Sequence, residues 1–436
     1  MIKQRWETRP LEIWDRAKEL RAKWQKSIDN RQHLLAQGNT VESDWSPGFE
    51  KYLKIVEDNP VGAFMASKSH SFARRARLAS EVRGWGRELC GYVNNCWGAQ
   101  FLGRDMDGGP FPYRDMCVPF PDVCDQHLKR GQQCMDLSPI PRWGGDMPIY
   151  PGERDPKRDE EMIEHRVYCN LKIIADIERI FGIEFDDERF VENIKLREKL
   201  SAYGLRISQL MTQVPTPLSA KDLYSFYTLG DLTKLNPEEI NDFWKSFVDE
   251  VQWRADNRIA AVGGERYRYM EAHPPAWYYL KYYRYLESYG AVCIGSQYSH
   301  IMSGTLEVKE DGSLAHRDVT PPADKPIRTR EDAVRQWITE ARGNRFKDDE
   351  YCRKWAITDF ARGFKADGAI MALWRCGVGC TLTRKEQALR LSEMGLRVLH
   401  CEGSQPGDRT DMDEHGFLDR IDAWMESQGL EKLDDR

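Results

Sequence analysis

Residues 366–380 read ADGAIMALWRCGVGC. The run GAIMALW is short, apolar and free of proline, and it is taken as a strand over Gly368–Leu373. Two further apolar runs, Ala291–Gly295 and Val398–Cys401, are candidate strands of the same kind. Helical periodicity fills the intervals at 330–342, 348–362 and 383–395. Apolar strands alternating with helices specify an α/β fold with a parallel sheet. In such a sheet the functional loops lie beyond the carboxyl ends of the strands. Cys376 and Cys380 follow the first of these runs directly, and Glu402–Arg409 follows the last.

Upstream, residues 220–260 and 157–212 carry helical periodicity, the latter with Met162, Val167, Leu171, Ile174, Ile177 and Ile180 on one face. The break at Pro215–Pro217 between them marks an approximate domain boundary. Residues 48–82 read as helical, ending near Gly84. The first 36 residues place Trp6, Leu11, Ile13, Trp14, Leu20 and Trp24 among charges at helical spacing, an amphipathic arm. An ordinary surface helix and a contact with a partner subunit both remain open for it. A closing amphipathic helix is expected over Phe417–Leu430.

Between Cys90 and Cys124 lies the most irregular stretch, CGYVNNCWGAQFLGRDMDGGPFPYRDMCVPFPDVC. Its glycines and prolines argue against a regular helix or a central strand. Something other than apolar packing is expected to hold it, and thiolates around a soft metal centre are the leading choice. A long Pro/Gly/Trp-rich loop from Ser138 to Arg154 belongs to the same region.

Eleven cysteines in 436 residues invite the same question. The charged N-terminus lacks a signal-peptide core, and no apolar run reaches the ~18 residues of a membrane helix, so a reducing cytoplasm is expected. Disulfides are then unfavoured, leaving metal binding, catalysis or burial. The 64 basic and 70 acidic residues are well mixed, which points away from nucleic acid and anionic membranes. Cys90, Cys124 and Cys376 each sit at an element edge beside turn residues, as three ligands from separate loops would. No C-x-x-C pair occurs, and spacing alone leaves ligand and small buried hydrophobe equally open for these three. Cys169, Cys293 and Cys352 fit helix or strand patterns as core residues.

The elements GWGRELCGYVNN, PDVCDQHLKRG, and ADGAIMALWRC followed by a helix, a strand and CEGSQPGD resemble the 2-hydroxyacyl-CoA dehydratase and benzoyl-CoA reductase family. The similarity runs from about residue 80 to the C-terminus. Chain length and GGPFPYRDMCVPFPDVCDQ incline it toward a catalytic subunit of ATP-dependent benzoyl-CoA reductase. The resemblance implies two Rossmann-like parallel-sheet domains with an N-terminal helical arm and additional helices. The divisions expected are 1–55 (arm), 56–215 (first α/β domain with the cysteine-rich loop) and 216–436 (second α/β domain with the third cysteine). It implies a [4Fe–4S] cluster held by Cys90, Cys124 and Cys376, with Cys380 as the alternate in RCGVGC. Cys96, Cys117 and Cys134 are cysteines the family pattern does not require.

The implied reaction is reduction of benzoyl-CoA to a cyclohexadienoyl-CoA by low-potential electrons. The alternatives are a 2-hydroxyacyl-CoA dehydratase subunit and a sibling that relays electrons without binding substrate. The implied partners are a related cluster-bearing subunit, ATP-hydrolysing activator subunits and ferredoxin. This chain carries no G-x-G-x-x-G or Walker motif, so ATP belongs to another polypeptide.

Within GGERYRYMEAHPPAWYYLKYYRYLESYG, Arg266, Arg268 and Lys281 are candidates for the phosphates of coenzyme A, and Trp277 for flanking a flat acyl group. The bland reading is an aromatic helix face packed on core with arginines in solvent. His127, three residues after Cys124, is a candidate proton donor, set against a purely loop-orienting role. His70 and His300 are weaker candidates.

Overall fold

The computed structural model describes residues 5–37, 45–56, 62, 65–118, 129, 137–144, 156–226, 229, 236–271, 276–295, 299–300, 306–316, 327–343, 356–374, 384–403 and 409–433. It is an α/β protein with parallel sheets.

The N-terminal segment does not open into solvent. Trp6 N–H donates to Gly263 O and Ala260 N–H to Glu7 O, both at 2.8 Å, tying it to the C-terminal half. Helix α1 (Trp14–Asp29) follows. The backbone N–H groups of Glu12 and Ile13 donate to the Glu250 carboxylate at 2.8 and 2.9 Å, so a distant side chain satisfies donors near the helix start. Next come β1 (Leu34–Gln37) and β2 (Leu53–Val56), two short apolar strands within the stretch expected to be a helical arm. With β3 (Met116–Cys117) they form a parallel sheet of order β2-β1-β3. The helix expected over 48–82 is thus interrupted by β2, and the described helical residues are 62, 65–68 and those of α2 (His70–Glu81). A four-residue strand is too short to show its own period against a helical background.

A second departure lies in the cysteine-rich stretch. Helix α3 (Gly91–Leu102) occupies its first third and is buried from Gly91 to Gln100. Gly98 is the reason a glycine-containing helix is stable here. A Cβ at that position would overlap the carbonyl of Ala76, so glycine lets α3 press backbone to backbone against α2. The Ser80 hydroxyl crosses the same contact, donating to Asn94 O at 2.9 Å.

The periodic run 157–212 forms two long helices, α4 (Pro156–Phe181) and α5 (Asp187–Met211). The break is at Gly182, whose φ of +65° ends the first, and the Asp186 side chain caps the second by accepting from Arg189 N–H at 2.8 Å. Short α6 (Ala220–Phe226) precedes α7 (Pro237–Asp256), which Asn236 caps through Glu239 N–H at 3.0 Å. Proline stands at its first position, where no donor is lost.

The C-terminal half contains β4 (Tyr267–Glu271), α8 (Lys281–Glu287), β5 (Ala291–Gly295) and an antiparallel hairpin, β6 (Leu306–Val308) and β7 (Leu314–His316). Then follow α9 (Arg330–Gly343), α10 (Ala356–Gly363), β8 (Gly368–Trp374), α11 (Arg384–Glu393), β9 (Arg397–Gly403) and α12 (Glu414–Glu426). The order is β5-β4-β8-β9, all parallel. Strand alternation separates two cores. Met270, Val292, Ile294, Ala369 and Met371 enter the large core shared with α5 and α7. Tyr267, Tyr269, Cys293, Ile370, Ala372 and Cys401 enter an aromatic core shared with α8 and α12. That second core also contains Cys90, Tyr92 and Trp97, so it joins the two halves of the chain.

Candidate functional site

Cys90 is the N-cap of α3, with an extended ψ of 128° and a carbonyl that accepts from Asn94 N–H at 3.0 Å. Its side chain makes no capping bond, and the residue is 7% exposed. The backbone N–H groups of the first helical turn have no intrahelical acceptor and carry the positive end of the helix dipole. A thiolate or an anionic group placed there is electrostatically favoured.

The turn before Cys90 is fixed on several sides. The Asn94 side-chain amide donates to Gly86 O at 2.9 Å, and the Trp85 and Trp97 rings lie 4.4 Å apart. Arg87 donates to Glu81 at 2.6 Å and to the hydroxyl of Thr410 at 2.5 Å, and Thr410 lies after β9. One helical turn earlier, Arg77 and Asp411 form an ion pair whose side chains are 0% and 1% exposed. The helix pair α2–α3 is therefore bound to the turn that follows the last strand.

The four parallel strands end at Glu271, Gly295, Trp374 and Gly403. Trp374 shares the buried aromatic core with Cys90. Gly403 has to be small: a Cβ there would stand 2.7 Å from the Tyr278 hydroxyl and 3.0 Å from the Trp374 ring. The carboxyl edge of the sheet thus faces the N-terminal end of α3, the place expected for a functional site in this fold.

Of the proposed ligands, Cys90 is described, whereas Cys124, Cys376 and Cys380 lie outside the described residues, as do His127, Cys134 and Cys352. Among the described residues no three His, Cys, Asp or Glu side chains converge. The described cysteines are thiols. Cys96 is fully buried in a separate small core with Met65, Phe72 and Ala76, and Cys117 lies in β3 with its sulfur 3.4 Å from Gln37 Oε1.

The candidate coenzyme A arginines fall elsewhere than expected. Arg268 is 5% exposed and points to the large core side of β4. Its guanidinium donates to Glu265 at 2.6 Å and to the carbonyls of Phe364, Gln213 and Met211 at 3.1, 2.9 and 2.7 Å. This geometry makes it a strut inside the sheet, because every one of those partners is internal. The assignment to phosphate contact is corrected on that ground. Arg266 is exposed, but its guanidinium donates to Tyr289 O at 2.8 Å and to Glu431 O, which fastens the C-terminal segment. Lys281 is exposed at the start of α8. Trp277 is 6% exposed, in the short turn Trp277–Tyr279, and its indole N–H donates to the Tyr92 hydroxyl at 2.5 Å. Its ring meets Tyr224 edge-on at 5.7 Å.

His300 is 2% exposed between Ser208 Oγ (2.8 Å) and Ile294 O (3.1 Å), and burial pushes its pKa down to about 4. That environment is structural. His70 is exposed, and its pKa is lowered first by partial desolvation and then by Arg409.

One group of chemical interest was not expected. Glu271 ends β4 on the aromatic-core side and is 4% exposed. The Tyr282 and Tyr283 hydroxyls donate to its two oxygens, the second at 2.5 Å. Burial pushes its carboxyl up to about 7, against the opposing effect of those hydrogen bonds. Burial likewise pushes the Cys293 thiol up beside it. The alternation Tyr267, Tyr269, Glu271 was the available signal for it.

Residues 61–427 match the family described as 2-hydroxyglutaryl-CoA dehydratase, D-component. Among characterised proteins, the (R)-phenyllactyl-CoA dehydratase alpha subunit of Clostridium sporogenes is 22% identical over 297 residues, covering 67% of this chain and 71% of the relative. No helix among the described residues is long and apolar enough to cross a membrane. With a match that spans well over half of its length, the chain belongs to the 2-hydroxyglutaryl-CoA dehydratase, D-component, family.

Proposed function

We propose that this chain is the iron–sulfur subunit of a 2-hydroxyacyl-CoA dehydratase, working with a related subunit and an ATP-hydrolysing activator that receives electrons from ferredoxin. The observation that carries the reading is the position of Cys90, at the positive end of a buried helix and in the same core as Trp374. Cys376 follows Trp374 by two residues, and two residues of chain span at most ~7 Å. In this reading Cys90, Cys124 and Cys376, or Cys380 in its place, would hold the cluster. The site also suits an anionic [4Fe–4S] cluster chemically, since aromatic side chains exclude water and the helix end favours negative charge.

When bound, such a cluster supplies one-electron chemistry and, with three protein ligands, an iron coordination position for a substrate oxygen. The chain's own contribution is to hold the thiolate rigidly, keep water from a reactive thioester, and deliver a proton. His127 is the candidate carrier, three residues from Cys124. Arg266 and Lys281 remain candidates for the coenzyme A phosphates because both are exposed.

The family match and the phenyllactyl-CoA relative both carry dehydratase names, which favours dehydration over the ring reduction suggested by GGPFPYRDMCVPFPDVCDQ. The two reactions differ in electron balance. Dehydration moves a hydroxyl and a proton out as water with no net electrons, whereas ring reduction consumes two electrons per turnover. The anaerobic complex, given activator, ATP and reductant, is therefore assayed with an aromatic 2-hydroxyacyl-CoA and with benzoyl-CoA. Formation of an enoyl-CoA with only catalytic electron input is the expected result. Stoichiometric consumption of two electrons with benzoyl-CoA, and no turnover of the hydroxyacyl-CoA, refutes it in favour of the reductase.

A further inference from the structure

The turn that carries Cys90 belongs to the first half of the chain, whereas the strand leading to Cys376 belongs to the second. A cluster ligated from both requires the two halves to be held in register at that point. Two residues after Cys90, the chain meets the second half through a directed polar contact. Tyr92, 7% exposed, receives the indole N–H of Trp277 at 2.5 Å across 185 residues of sequence. Behind Tyr92, Gly62 approaches to the point where an added Cβ would stand 3.3 Å from the Tyr92 Cα and carbonyl oxygen. Behind Trp277, the edge of Tyr224 closes the other side at 5.7 Å. Tyr92 and Trp277 are thus each backed by packed neighbours.

We propose that the Trp277–Tyr92 hydrogen bond is a positioning device for the cluster, setting where the Cys90 turn stands relative to the carboxyl edge of the sheet. It rests on the cluster reading given above, and it replaces the ring-flanking role expected for Trp277. Cys90 and Tyr92 are two residues apart at the start of one helix, so anchoring the Tyr92 side chain restrains the helix start that Cys90 caps. Trp277 opens the turn that follows the end of β4, so the same contact anchors a segment at the carboxyl edge of the sheet. A merely structural contact would change stability and leave the cluster's electronic state untouched. A positioning contact changes the ligand geometry, and with it the spectrum of the bound cluster.

The test uses full-length protein loaded under anaerobic conditions, as wild type, Trp277→Phe, Tyr92→Phe and the double variant. Both substitutions keep a ring and remove one partner of the bond. Two readouts are taken: the electron paramagnetic resonance spectrum of the reduced cluster, and the rate of iron release to a ferrous chelator. A buried hydrogen bond of ~1 kcal/mol corresponds to about a fivefold change in rate. Each single variant is expected to release iron about fivefold faster, with altered g-values, and the double variant no faster than either single one. Unchanged spectra and release rates in variants that still bind iron overturn this inference alone, as does a double variant whose effects simply add. A wild-type protein that acquires no iron overturns the cluster reading, and this inference with it.

Discussion

The ion pair between Arg77 and Asp411 ties α2 to the turn after β9, and its removal should be costly in a specific way. The two side chains are 0% and 1% exposed. Taking a single charge away removes the ion-pair partner of a charge held in a low-dielectric interior, which costs ~3–5 kcal/mol. Asp411→Asn should therefore remove that much from an unfolding free energy expected to be ~5–15 kcal/mol. The loss of attraction is not the main term, since desolvation offsets much of it in the intact pair. A double variant, Arg77→Met with Asp411→Leu, removes both charges at similar volume and should be less damaging than Asp411→Asn alone. The assay is urea unfolding followed by tryptophan fluorescence, comparing the midpoint of the first transition among wild type, single and double variants. A single-variant loss under ~1 kcal/mol, or a double variant worse than the single, would refute the argument that breaking this buried pair from one side dominates.

Glu271 should give a pH signature. Its folded carboxyl is raised to about 7 against an ordinary value near 4.5, so its favourable contribution is complete below pH ~4.5 and is lost as pH rises through 7. The change is up to ~3 kcal/mol, and Glu271→Gln should abolish that part of the slope in denaturation measured from pH 5 to 8. Gly98→Ala places a methyl on the Ala76 carbonyl and should cost ~1–3 kcal/mol through overpacking, read as a lower melting temperature. Arg268→Met strands the Glu265 carboxylate, which is 5% exposed, along with three carbonyls, and a loss of ~3–5 kcal/mol in denaturant unfolding is expected. If Arg268 instead contacts coenzyme A, the variant will unfold normally and weaken substrate binding.

Much of the C-terminal sheet was legible because its strands are apolar on both faces. Ala291–Gly295, Gly368–Leu373 and Val398–Cys401 all correspond to observed strands, the last two extended by one to three residues. Strand β4 was not expected, because YRYME carries an arginine and a glutamate that only burial with internal partners can explain. The same blindness produced the phosphate role for Arg268: sequence shows a cation but not the carbonyls that surround it. Helix α3 was hidden by its glycines, of which Gly98 serves close packing against Ala76 rather than a turn. Cys90 could be singled out from its LCGY context by resemblance, yet its place at a helix N-terminus in the same buried core as Trp374 required the assembled fold. Local pattern predicts elements, whereas which buried polar groups meet depends on contacts over hundreds of residues.

The central claim is that Cys90 is a cluster ligand, whereas Cys96, six residues later on the same helix, is core. Iron and sulfide content of anaerobically purified protein, compared with Cys90→Ser and Cys96→Ala, tests it most directly. About four irons and four sulfides per chain are expected in the wild type and in Cys96→Ala, and loss of most of both in Cys90→Ser. Iron retained at the wild-type level in Cys90→Ser, or absent from the wild type under cluster-assembling conditions, would contradict the account.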